Sequence, residues 1–235
     1  GFGALAYGTF QKEMANVNTL LDYQGKVLKG TTMNLKDYER QVITLSTELG
    51  KSATELAQGL YKIVSLGVSE GNSLPVLKEI TKAAKAGVTD VESAADSALS
   101  TINALGLKMT DLTRVLDVQF MTIKEGNTTY EQLTEAMQNV LPAAIRVDAS
   151  LEDVYGAMAH LTKNSLKPRR AATALARTFE TVAERAQELK QAFGINVFDS
   201  KGQFKEMNVI LGQMAEKWNT TNDADASSSK KPTIL

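Results

Sequence analysis

Apolar residues recur at helical spacing along almost the whole chain, and the strict alternation that marks strands is nearly absent. Val91, Ala95, Ala98, Ile102 and Leu105 share one helical face, as do Leu112, Val115, Leu116, Phe120 and Ile123. The pattern continues through Tyr130, Leu133, Met137 and Val140, and again through Leu151, Val154, Tyr155, Met158 and Leu161. Helices with one apolar stripe must bury it against each other. Small residues such as Ala83, Ala84, Ala94, Ala95 and Ala98 allow close approach. The pattern predicts an all-α fold: an array or bundle of about nine to ten short amphipathic helices, with one short β-hairpin near the C-terminus.

The stops between helices are regular. Gly67, Gly87, Gly106 and Gly126 stand 20, 19 and 20 residues apart, and Arg146 and Asn164 continue the rhythm. Glycine after a helix accepts left-handed φ without a Cβ penalty, and asparagine is the next best. Ser or Thr close behind can cap the following helix. Ser52 to Glu55, Thr89 to Glu92 and Thr128 to Glu131 fit the capping-box spacing, and Ser150 to Asp153 is an acidic version. The implied unit is a helix plus a short connection, a quasi-repeat of shape more than of sequence.

The ends of the chain differ. Met14, Leu21, Leu28, Leu35, Val42 and Leu49 form a heptad, but Gln24, Thr31, Gly25 and Gly30 interrupt it. Two helices with a break near 30–34 are expected, with a partial coiled-coil contact to another chain as a further use of the stripe. A longer helix is expected from about Pro168 to Phe193, ended by Gly194. Ile195 to Phe198 and Gln203-Phe204 flank a turn at Asp199-Ser200-Lys201-Gly202, which predicts the hairpin. A last helix would carry Met207, Ile210, Leu211, Met214 and Trp218 on one face. The domain reading is an apolar, small-residue lead-in at 1–9, a helical module at 10–218 and a flexible linker at 219–235. The lead-in reads either as the end of an upstream hydrophobic segment or as a loose terminus, and a start at Gly1 suggests a piece of a longer chain.

Composition removes several chemistries. The 235 residues carry 26 Lys+Arg against 27 Asp+Glu, so the chain as a whole has no polyanion-binding charge. With no Cys there is no disulfide framework, thiol nucleophile or thiolate metal site. The single His, His160, excludes a multi-His metal cluster and leaves any catalytic triad one candidate base. No nucleophile or orienting acid marks its neighbourhood, so it reads as a helix-surface or partly packed residue. The longest apolar run, Val140 to Ile145, is far shorter than the roughly 20 residues of a membrane span. The glycines stop helices and do not follow strands, so they make no phosphate loop or dinucleotide site. The Asp199 turn lacks the ligand set of a calcium loop. No cofactor and no catalytic apparatus are expected, and the methionines read as core packing.

One charge cluster stands out. Lys163, Lys167, Arg169, Arg170 and Arg177 lie together with no acid among them. Arg169 and Arg170 fall in the first turn after Pro168, where positive charge opposes the helix dipole. A solvated helix face explains them, and so does a patch for an acidic partner or nucleic acid.

An ordered set of segments resembles the core region of phage tail tape measure proteins, over roughly Phe10 to Trp218. Phe10 to Val17 looks like the family's opening segment, and Leu45 to Gly50 followed by Ser52 to Ala57 looks like its Leu-Gly step and Ser-capped helix. Leu66 to Ser69, Leu105 to Leu107, Arg114 to Asp117 and Leu141 to Ala144 resemble further elements. Arg170 to Arg177 resembles the small-residue helix start, and Phe193 to Gly202 the family's Gly-Ile-x-Val-x-Asp-x-x-Gly hairpin. Ala172 and Arg146 depart from it, each standing where glycine is usual.

The resemblance implies a structural virion protein of the tail lumen, present in the host cytoplasm during assembly. It implies a part in tail assembly, tail length and genome ejection. Implied partners are tail tube, tail-tip or baseplate and tail chaperone proteins, further copies of the chain, and the host membrane during ejection. The competing reading is a helical interaction module of a tail-like particle or a secretion or gene-transfer device. Helix breakers about every 20 residues make a folded module a better reading than a continuous ruler.

Overall fold

A computed structural model describes residues 2–200, 205, 209–210 and 212–217, with side chains from residue 5 onward. Ten α-helices account for most of it: α1 Phe2–Asn18, α2 Leu35–Leu49, α3 Ala53–Ser65, α4 Glu70–Ala86, α5 Val91–Ala104, α6 Leu112–Glu125, α7 Tyr130–Arg146, α8 Leu151–Lys163, α9 Pro168–Glu184 and α10 Ala186–Phe193. A 3-10 turn at Met109–Asp111 leads into α6. Residues 209–210 and 212–217 are also helical, with Ile210 buried and Met214 partly so. Met207, Leu211 and Trp218 of the expected last helix, and the 219–235 linker, lie outside the described residues.

The helices stack in two rows. In the odd row α1 packs on α3, α3 on α5, α5 on α7 and α7 on α9. The even helices form the second row, in which α6 and α8 pack closely while α2 and α4 rest mainly on α3 and α5 of the first row. Stripes of Leu, Val, Ile and Ala between the rows make one continuous core. Close approach needs missing atoms as well as small ones. A Cβ on Gly59 of α3 would lie 2.4 Å from Val91 Cγ1 of α5, so only glycine lets these helices meet.

Local sequence explains the turns. Five of them share one form: a residue at positive φ, an apolar or Thr residue, then the N-cap. Gly67-Val68-Ser69, Val88-Thr89-Asp90, Gly106-Leu107-Lys108, Asp148-Ala149-Ser150 and Ser165-Leu166-Lys167 are the five. In each, the middle residue's N–H returns to a carbonyl five residues back, as Thr89 does to Ala84 at 3.0 Å and Leu107 to Ile102 at 2.9 Å. That bond satisfies a helix-end carbonyl and fixes the exit direction.

The structure corrects several expected positions. Gly67, Gly106 and Gly194 are left-handed as expected, but Gly87 has φ −82° and Gly126 φ −88°. These two are glycines for space: a Cβ would fall 2.9 Å from the Tyr130 ring at Gly87 and 2.4 Å from Thr162 Oγ1 at Gly126. Val88, Asp148 and Ser165 take the left-handed role expected of Gly87, Arg146 and Asn164. Gly202 lies outside the described residues. Ser150 with Asp153 forms its box as expected, but Ser52 caps α3 alone while the Glu55 carboxylate turns to Lys51 and Val91, Asp90 rather than Thr89 caps α5, and Thr129 with Gln132 forms the box of α7. Arg185 leaves helical geometry at φ −96° and ψ 19°, so the expected single helix is α9 and α10.

The interrupted heptad gives two helices, but the break is wider than the expected 30–34, from the end of α1 at Asn18 to the start of α2 at Leu35, and the chain folds back on itself. Met14, Leu21, Leu28 and Val42 are buried in the core rather than lined along a seam. Between them, β1 Tyr23–Gln24 pairs antiparallel with β2 Val27–Leu28, with Gly25 at φ +68° in the turn. This is the two-stranded sheet of the described residues, and it lies near the N-terminus rather than the C-terminus. Of the expected C-terminal hairpin, Lys205 N–H donates to the Val197 carbonyl at 2.9 Å, and residues 201–204, which hold the second half of the expected 199–202 turn, lie outside the described residues. Phe120 is also displaced from the core face: it is exposed, and Gln119 is fully buried in its place.

Candidate interaction surface

Gln119 is buried because a complete polar network receives it. Tyr130 of α7 donates its hydroxyl to Gln119 Oε1 at 2.8 Å, and Gln119 Nε2 donates to the Tyr155 hydroxyl of α8 at 3.0 Å. Thr101 of α5 gives its own proton to the Ser97 carbonyl, so the 2.8 Å contact between Thr101 and Tyr155 is a donation from Tyr155. Four helices of both rows meet at these atoms. Burial pushes the Tyr130 and Tyr155 hydroxyls well above the usual tyrosine range. A smaller pair ties α2 to α4, where the Tyr38 hydroxyl donates to Ser73 Oγ and Ser73 donates to the Glu70 carbonyl at 2.7 Å. Burial raises Tyr38 to about 12. These groups are saturated with protein partners and closed to solvent, which suits a structural lock and not a reacting site.

Charged residues join neighbouring turns. Lys51 bridges Glu55 at 2.9 Å and the Thr89 carbonyl at 3.0 Å. Thr89 donates to Glu131 Oε1 at 2.6 Å and holds that carboxyl below its ordinary range. Arg114 grips Glu152 with two bonds of 2.7 and 2.6 Å, which lowers the carboxyl and raises the guanidinium.

His160 is exposed near the end of α8, with the Asn164 side-chain amide 3.4 Å from Nε2 and bonded to the His160 carbonyl at 2.8 Å. Asn164 is, among the described residues, the hydrogen-bond partner of its side chain. Among the described residues, no group of three or more His, Asp or Glu could hold a metal ion, and no helix is long and apolar enough to cross a membrane.

The basic cluster divides. Lys163 ends α8 and points to Glu125 of α6 at 3.6 Å. Lys167 is the N-cap residue of α9, and Arg169, Arg170 and Arg177 follow on its exposed side. Arg170 and Arg177 are seven residues apart and share a face. Lys167 and Arg169 line one wall of a polar groove of about 800 Å³, whose other wall is α7 with Asn127 before it. The cluster was visible in the sequence; the facing row of α7 amides was not, because Gln138 and Asn139 lie about thirty residues away and only the α7–α9 packing brings them opposite.

The described residues form a two-row, densely capped helical array with buried polar networks and a polar outer groove. The family described as phage-related minor tail protein matches residues 39–232, and the chain belongs to it. Within that class it is similar to two tape measure proteins. The tape measure protein of Pneumococcus phage Dp-1 is 23% identical over 208 residues, covering 87% of this chain and 18% of that protein. The probable tape measure protein of Clostridium phage phiCD119 is 25% identical over 147 residues, 61% of this chain and 16% of that protein. The chain therefore spans less than a fifth of the length of these relatives. No solved structure matches it.

Proposed function

We propose that this chain is a folded, non-catalytic module of a phage tail tape measure protein, a protein that acts in tail assembly and length determination and in genome ejection. The family match over residues 39–232 carries the reading. The module is the 10–218 array, and its partners are tail tube, tail-tip or baseplate and tail chaperone proteins, with further copies of itself in the tail. Its place is the tail lumen after assembly in the host cytoplasm. Length measurement by α-helix needs an extended chain at about 1.5 Å per residue. Here the helices are 13 to 17 residues long from α2 to α9 and fold back on each other. The array therefore serves assembly, and the length function belongs to other parts of a longer protein.

Purified particles provide the test. Mass spectrometry should count a few copies of this chain per particle against the many copies of the tube subunit. Absence from particles, or a count equal to the tube subunit, overturns the tail reading. In-frame deletion of the array should block tail assembly. Intact tails shortened in proportion to the deleted residues, about 1.5 Å for each, would make the array part of the ruler instead.

A further inference from the structure

The chain carries seven arginines. Four meet a carboxylate: Arg40 with Asp37, Arg114 with Glu152, Arg146 with Glu180 and Arg185 with Glu188. The other three, Arg169, Arg170 and Arg177, all belong to α9, and among the described residues none has an acidic partner. Arginine is neutralised elsewhere on this surface and left as an open positive field at one place.

The groove beside that field supplies the second observation. Across from Lys167 and Arg169, it presents the side-chain amides of Asn127, Gln138 and Asn139. None of these five side chains makes a hydrogen bond or ion pair among the described residues. Carboxamides both donate and accept, which matches the alternating N–H and C=O of an extended polypeptide. A DNA backbone offers them acceptors only. Glu135 lies in the same groove. A ligand negative at every step must meet it, whereas a peptide can place a neutral residue there.

We propose that this groove binds an extended acidic segment of a partner polypeptide. Carboxylates of the segment pair with Lys167 and Arg169, with Arg170 and Arg177 extending the field along α9, and its main chain bonds Gln138 and Asn139. The proposal goes beyond the tail role and does not depend on it.

The test uses the full chain and fluorescence anisotropy with a short labelled peptide of alternating Glu and Ser, against labelled oligothymidylate of similar length. The peptide should bind saturably and more tightly than the oligonucleotide. Arg169→Ala should weaken it about fivefold, the upper end for an exposed ion pair. The double variant Gln138→Ala, Asn139→Ala should weaken it without changing the salt dependence. Lys36→Glu, at an exposed lysine on α2, should leave it unchanged. All these positions are exposed, and unchanged helicity and melting temperature will confirm folding. Three results overturn the proposal: no peptide binding, tighter binding of oligothymidylate, or a loss from Lys36→Glu equal to that from Arg169→Ala.

Discussion

The Gln119 side-chain amide donates to the Tyr155 hydroxyl at 3.0 Å, between α6 and α8, with neither residue open to solvent. Both atoms have further partners, so removing either strands a buried polar group. Tyr155→Phe leaves Gln119 Nε2 with only a 3.4 Å contact to Thr101, and takes away the proton that Thr101 accepts. A loss of about 1–3 kcal/mol is expected from denaturant unfolding. Thr101→Val and Tyr155→Phe together should cost less than the sum of the two, because they remove both ends of one bond. Strict additivity would show that the network is not coupled. Tyr38→Phe should cost less than Tyr155→Phe, since Ser73 keeps its bond to the Glu70 carbonyl.

Two glycines at helix ends separate backbone strain from crowding. Gly126 has ordinary φ, but a Cβ there would meet Thr162 Oγ1 at 2.4 Å and the Thr122 carbonyl at 2.7 Å. Gly106 has φ +62° and open space around the Cβ position. Gly126→Ala should therefore cost about 1–3 kcal/mol as overpacking, and Gly106→Ala about 1 kcal/mol as strain. Adding Thr162→Ala should recover part of the Gly126→Ala loss and none of the Gly106→Ala loss. Equal behaviour of the two glycine variants in the Thr162→Ala background would refute this assignment.

Local signals in the sequence carry most of the helix plan, because each helix start and stop is made by residues within one turn. Ser52 and Ser150 were legible as caps for that reason. The left-handed residue was legible at Gly67, Gly106 and Gly194 but not at Gly87 and Gly126, because a glycine can be required by a neighbour that only tertiary packing supplies: Tyr130 for Gly87, Thr162 for Gly126. Phe120 and Gln119 exchanged places for a similar reason. Periodicity alone favours Phe inward, but the hydroxyls of Tyr130 and Tyr155 reward an amide there, and they come from other helices. The strands at Tyr23–Gln24 and Val27–Leu28 are too short for alternation to register. The basic cluster was legible as charge; the groove opposite it depends on how α7 and α9 pack.

Buried tyrosines set the alkaline limit of stability. Tyr38, Tyr130 and Tyr155 all titrate above the ordinary 10.0 in the folded chain because burial disfavours the phenolate. The unfolded chain then loses protons first as pH rises, so it binds fewer of them and is favoured. The contribution is intact below about pH 10 and disappears as pH rises through the folded values. On the acid side, the Thr89 hydroxyl lowers Glu131 and the Arg114 pair lowers Glu152 from 4.5. Their contribution is present above that value and fades as pH falls below it. Urea midpoints should be flat between these limits and drop on both sides. Tyr155→Phe should flatten the alkaline arm; an unchanged slope in that variant would show that Tyr155 ionises as freely folded as unfolded.

Val88 offers a stabilising change at a place where nothing is packed. It sits at φ +54° and is 92% exposed, so its isopropyl group gains almost no burial while its backbone occupies the left-handed region. A β-branched residue is the least suited to that geometry, at about 1–2 kcal/mol. Glycine removes the strain and gives back about 0.5–1 kcal/mol through the greater freedom of the unfolded chain. Val88→Gly should still stabilise by about 0.5–1 kcal/mol, the left-handed relief outweighing the entropy. The same exchange at Asp148, φ +49°, should gain less, because Asp tolerates the left-handed region through local hydrogen bonding. Urea unfolding at constant slope measures both. A lower midpoint for Val88→Gly would mean that the turn after α4 draws its stability from the valine side chain and not from the bond between Thr89 and Ala84.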